Sequence, residues 1–181
     1  MAQVCGLRNL VGINDYKMST MTLSQVVRAS VGDYFHADLA PEMRFGQTNQ
    51  VDFSGASPWL GGIRVELERR REDPVNNVVK AWRQARDNPN KAHFTLVHIF
   101  SGFYSSRRAK LENARFVGEM MSAWSDGNGR SIKHVAVLFD FEPPSGDADP
   151  TVSDAVAQQI REQIRHQLEE RIPIFKVAAS K

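Results

Sequence analysis

Residues 61–70 read Gly-Gly-Ile-Arg-Val-Glu-Leu-Glu-Arg-Arg, and within them Ile63, Val65 and Leu67 alternate with Arg64, Glu66 and Glu68. A period of two is the signature of a β-strand, because successive side chains leave a pleated backbone on opposite faces. The alternation therefore predicts a strand with one buried apolar face, and it sets Glu66 and Glu68 side by side on the other. Whatever the chain folds into must supply a layer to cover Ile63, Val65 and Leu67 and a purpose for two neighbouring carboxylates.

The rest of the chain supplies the layers. Thr22 and Gln25 form a capping box ahead of Leu23, Val26, Val27, Val31, Tyr34 and Phe35, which predicts a helix ending near Pro41. Residues 45–53 predict a strand that runs through the turn-rich Ser54–Gly62 segment into the alternating strand, making a hairpin. Asp73 at an N-cap and Pro74 in the first turn open a second helix, with Val75, Val78, Val79, Trp82 and Ala85 as its apolar stripe. The apolar runs HFTLVHIF and KHVAVLFDF predict buried strands, with a helix from about Arg108 to Trp124 between them. A last helix of about 151–171 carries Ala157, Ile160, Ile164 and Leu168. This order predicts an α/β fold, a sandwich of three layers in which a mixed central sheet is flanked by helices.

Composition narrows the function. At 181 residues, 41% hydrophobic and 24% charged, the chain suits one domain spanning 1–181 with a genuine core. Residues 1–20 read as an arm, and a core of about 22–140 precedes the last helix. Cys5 is the only cysteine, which excludes disulfide frameworks and multi-cysteine metal sites. The absence of a long apolar run and of a signal-like start predicts a cytoplasmic protein with no membrane partner. No serine-hydrolase elbow, phosphate-binding loop or dinucleotide fingerprint occurs. The histidines at 36, 93, 98, 134 and 166 show no zinc spacing, and His98, inside an apolar strand, reads as a hydrogen-bonded core residue.

If the hairpin closes, Asp52 at the end of its first strand comes close to Glu66, and alternation keeps Glu68 on the same side. Three converging carboxylates suit a hard divalent cation, which takes oxygen ligands and binds phosphate at the same time. A solvated charged strand compensated by Arg64 and Arg69 to Arg71 is the competing reading. The arrangement Val51-Asp52, then Glu66-Leu67-Glu68, resembles the PD-(D/E)XK nuclease superfamily over about residues 22–140. Its restriction-endonuclease-like fold carries an Asp on one strand and Glu-x-Lys on the next strand of a hairpin. Val51 stands where the family often has Pro, and Glu68 where it usually has Lys.

The resemblance implies a metal-dependent nuclease acting on nucleic acid, DNA first, with Asp52 and Glu66 as ligands of Mg²⁺ or Mn²⁺. It implies Glu68 as third ligand or general base, Lys80 as the migrated lysine with Arg70 second, and an acid of the first helix, Asp33, completing the metal shell through water. Arg70, Asn76, Arg83, Arg107 and Arg108 are the nucleic-acid contacts expected from their cationic and amide donors, with Phe103 and Tyr104 beside them suited to stacking. A homodimer is expected of an enzyme that cuts both strands of a duplex.

Two alternatives are carried. A nuclease-fold scaffold without chemistry accounts for the missing lysine, and a separate metal or small-molecule site at Asp140 and Glu142 accounts for the acidic stretch after the last buried strand. The net charge of +2, from 23 basic and 21 acidic residues, is what an acidic centre flanked by basic residues sums to.

Overall fold

The computed structural model describes residues 20–41 and 52–173; all but the last residue of the expected arm and most of the strand expected over 45–53 lie outside them. In chain order the elements are β1 (Met21–Thr22), α1 (Leu23–Phe35), β2 (Ala40–Pro41), β3 (Phe53–Ser57), β4 (Gly61–Glu68), α2 (Val75–Asp87), β5 (His93–Phe100), α3 (Arg108–Asp126), β6 (Ser131–Leu138), β7 (Thr151–Val152) and α4 (Asp154–Arg171). Strands β2 to β6 form one sheet in sequence order. β3 pairs antiparallel with both β2 and β4, while β4, β5 and β6 run parallel, joined by crossovers through α2 and α3. This is the expected α/β class, a five-stranded mixed sheet flanked by helices.

Two apolar layers cover the sheet. Ile63, Val65, Val97, Ile99, Val135 and Val137 pack against α1 and α4. On the opposite face Phe94, Leu96, Phe100, Ile132 and Ala136 pack against α2 and α3. β4 is thus covered on both sides, and the single buried face expected from its alternation is corrected. The polar set alternating with Ile63 and Val65 lies beneath α2, not in solvent.

The helix boundaries follow local chemistry. The Thr22–Gln25 capping box forms in both directions, and α1 stops at Phe35 instead of near Pro41, because His36 turns left-handed at φ 49° and the Ala37 N–H closes on Gly32 O at 2.9 Å. α2 begins one residue later than expected. Pro74 takes the cap position and Asp73 Oδ2 accepts from Asn76 Nδ2 at 2.7 Å instead of from a backbone N–H. Its buried face is rotated too: Val79 is 46% exposed, and Asn77, Val78, Ala81 and Ala85 face inward. The pair β1–β7, with the Leu23 N–H to Pro150 O bond of 2.8 Å, ties the start of α1 to the start of α4. Among the described residues no helix is long and apolar enough to cross a membrane.

Candidate active site

The hairpin register brings the three acids together. Phe53 stands opposite Val65, so Asp52 lies one rung further along, beside Glu66. Its backbone N–H donates to Val65 O at 3.0 Å, and its Oδ2 accepts from the Leu67 N–H at 2.7 Å. Glu66 is 6% exposed and Glu68 1%. Two carboxylates buried this deeply need compensation, since an unpaired charge away from water costs several kcal/mol or gives up its ionisation.

The compensation comes from three elements. Asn77, in the first turn of α2, donates from one nitrogen to both acids, at 2.9 Å to Glu66 Oε2 and 2.6 Å to Glu68 Oε1. Arg71 donates from Nη1 to Asn77 Oδ1 at 2.6 Å, and its Nε lies 3.7 Å from Glu68 Oε2. From β5, directly across the parallel pairing from Glu66, comes fully buried His98, whose Nε2 is 3.0 Å from Glu68 Oε1. His98 Nδ1 is in turn 3.4 Å from His134 Nε2 on β6. Burial, helped by the charges near His98, Arg115 and Arg171, pushes the His134 imidazole down to about 3, so it is neutral at physiological pH.

The strand end that carries Arg71 is clamped. The Ser101 N–H donates to Glu68 O at 3.1 Å, its hydroxyl to Arg69 O, and the buried Tyr104 hydroxyl to Arg71 O at 2.8 Å. Burial raises the Tyr104 phenol well above its ordinary value, so it remains a donor.

Electrostatics leave the acids poorly balanced. Burial first, then the negative charge of Asp52 and Glu68, pushes the Glu66 carboxyl up to about 9, against the opposing pull of Arg71 and Lys80. Asp52 is open to solvent as a residue, yet the packing around its carboxyl raises that group too, with the Leu67 N–H acting in the other direction. Among the described residues no three His, Cys, Asp or Glu side chains are gathered as a ready-made metal shell. The oxygens of Glu66 and Glu68 converge instead on the Asn77 nitrogen.

The other expected residues divide. Lys80 is exposed on α2, about one turn past Asn77, within electrostatic reach of Glu66 and in no ion pair among the described residues. Arg107 and Arg108 are exposed at the start of α3, with the Arg107 guanidinium 3.8 Å above the Phe103 ring. Phe103 and Tyr104 are core residues, so the expected stacking of bases on them is corrected: their rings are covered by protein. Arg83 is exposed and 3.8 Å from Asp87, while Asn76 is turned back onto Asp73.

Asp33 and Arg70 do not join the group. Asp33 is on α1, the helix covering the other face of the sheet, and lines an open cleft with Arg28, His36 and Asp38. Arg70 is committed to Glu142 Oε1 at 2.8 Å and Pro143 O at 2.7 Å, and Arg69 reaches the backbone of Asp147 and Ala148 at 3.2 and 2.9 Å. The chain bends at Arg69 and Arg70 after β4 ends, so Arg69 and Arg70 both neutralise the acidic loop while Arg71 turns back to Glu68. Glu142 is thereby occupied, while the Asp140 backbone N–H donates to Gln163 Oε1 at 2.8 Å.

Compared with protein-family models, with curated proteins and with solved structures, the chain matches none.

Proposed function

We propose that this chain is a metal-dependent nuclease of restriction-endonuclease-like fold that hydrolyses phosphodiester bonds in nucleic acid, DNA first. The observation that carries the reading is the β3–β4 register, which sets Asp52 beside Glu66 with Glu68 on the same face. The helix before this hairpin, and the helix and strand after it, fit the same reading. Glu66, pushed up to about 9 by burial first and by the charges of Asp52 and Glu68 after it, marks a site short of positive charge.

The donor set is all carboxylate oxygen, the chemistry that Mg²⁺ or Mn²⁺ selects. A divalent cation held by Asp52 and Glu66, with Glu68 behind them, would polarise the phosphodiester and lower the pKa of its bound water. Lys80 is the residue to stabilise charge on the phosphate, because Arg70 is already spent on Glu142. Arg107 and Arg108 would hold the backbone of the strand as cationic donors. A duplex substrate calls for two such centres, and a homodimer belongs to the same proposal.

The test is cleavage of duplex DNA, single-stranded DNA and RNA with Mg²⁺ and with Mn²⁺. Wild type should cut at least one substrate and stop on addition of EDTA, and Asp52→Ala and Glu66→Ala should be inactive. Intact substrate under every condition would reject the nuclease reading.

A second reading, a nuclease-fold scaffold that binds without cutting, is favoured by one observation: Glu68, where the family usually has Lys, is 1% exposed and fully engaged with Asn77 and His98. It predicts uncut nucleic acid bound with a steep salt dependence that survives Asp52→Ala.

A further inference from the structure

The Asn77 carboxamide, 4% exposed, occupies the point on which Glu66 and Glu68 converge. An amide nitrogen has two hydrogens, and here both are used, one on each carboxylate, at 2.9 and 2.6 Å. The amide cannot be reversed without loss, because Arg71 Nη1 donates to its oxygen at 2.6 Å and fixes which end faces the acids. The positive end of the amide dipole is therefore held between the two buried acids by a third residue outside them, and a cation that takes its place must also displace the proton Glu66 keeps. A small cation seeking these oxygens at about 2.1 Å meets the same two lone pairs and the positive end of the amide dipole.

We propose that Asn77 is a built-in competitor of the cation: its carboxamide bridges Glu66 and Glu68 in the metal-free protein and must swing out for a divalent ion to bind. The inference rests on the metal reading above and adds a form of regulation to it. Departure of the amide also releases Arg71, whose side chain is 51% exposed, from its bond to Asn77. A guanidinium released from Asn77, still beside Glu68 at the metal site, can turn its freed N–H to phosphate, so cation entry prepares the site for substrate. In the absence of metal the bridge keeps the carboxylates paired and Arg71 occupied.

The experiment follows binding, not activity. Mn²⁺ binding is measured by electron paramagnetic resonance for wild type, Asn77→Ala and Asn77→Ser, and the side-chain amide of Asn77 in ¹⁵N-labelled wild type is followed by NMR during a Mg²⁺ titration. Losing the two hydrogen bonds that Asn77 makes to the buried acids in the metal-free state predicts that both variants bind Mn²⁺ about tenfold more tightly or better. The Asn77 amide signal should shift, and exchange faster with water, with the midpoint of Mg²⁺ binding. Equal or weaker Mn²⁺ binding by the variants, or an amide signal unmoved while wild type binds, overturns the competitor and leaves the metal reading standing. No binding by wild type or either variant overturns both. Should Asn77→Ala fail to fold, Asn77→Ser and the wild-type titration decide.

Discussion

His98 Nε2 lies 3.0 Å from Glu68 Oε1, and both side chains are almost wholly shut off from water. A carboxylate in that position depends on each of its donors. His98→Phe keeps an aromatic ring, a somewhat larger one, and removes the donor, and should destabilise the protein by roughly 1.5–3 kcal/mol, the range for a hydrogen bond to a charged group. His98→Gln restores an N–H near the Nε2 position and should recover at least half of the loss. Urea denaturation of the two variants at one pH measures the difference; equal losses would mean that His98 acts by packing alone.

Gly118 on α3 passes directly over His134: a Cβ at that glycine would lie 2.0 Å from Nδ1 and 2.2 Å from Cγ of the imidazole. Helix propensity by itself favours Gly118→Ala by up to about 1 kcal/mol. The overlap costs more, about 1–3 kcal/mol for forcing atoms into a packed core, so the substitution should destabilise. Adding His134→Ala removes the clashing ring, and the double variant should lose less than the sum of the two singles. Additive losses in a denaturant cycle would exclude this contact as the reason for the glycine.

Glu66 gives the metal-free protein a pH dependence with a definite sign. Its carboxyl is pushed up to about 9 in the folded chain against 4.5 in the unfolded one, so between these values the folded state holds the extra proton. The resulting stability is complete below pH 4.5 and is lost as the pH rises towards 9, at no more than about 1.4 kcal/mol per pH unit. Urea midpoints from pH 5 to 9 in EDTA should fall for wild type, and Glu66→Gln, neutral throughout, should flatten the trend. An unchanged slope in Glu66→Gln would assign the effect to another group.

Lys80 separates chemistry from stability. It is exposed and forms no ion pair among the described residues, so Lys80→Met should change stability by less than about 0.5 kcal/mol. If Lys80 stabilises charge on the phosphate, the same substitution should slow cleavage on the order of 100-fold or more. A variant as active as wild type would take Lys80 out of the mechanism.

Short-range pattern made much of this legible. Alternation along 63–68 identified β4 and set Glu66 and Glu68 on one face, and the capping box marked the start of α1. Placement across the sheet was not legible, because it depends on which helix covers which face. Asp33 falls on the far side for that reason, and His98 meets Glu68 only through the parallel β4–β5 pairing. The buried face of α2 misled in an instructive way: apolar spacing nominated Val79, but a helix lying over two carboxylates turns an amide donor, Asn77, inward. Three adjacent arginines look alike in sequence, and only the bend of the backbone past β4 decides that Arg71 turns to Glu68 while Arg69 and Arg70 turn to the acidic loop.

The central claim is that Asp52 and Glu66 hold a divalent cation. An anomalous difference map from a crystal soaked in Mn²⁺ tests it directly. The account predicts a peak between the two carboxylates with Asn77 displaced from its bridge. A map with no peak there, and Asn77 still joining Glu66 to Glu68, would contradict it.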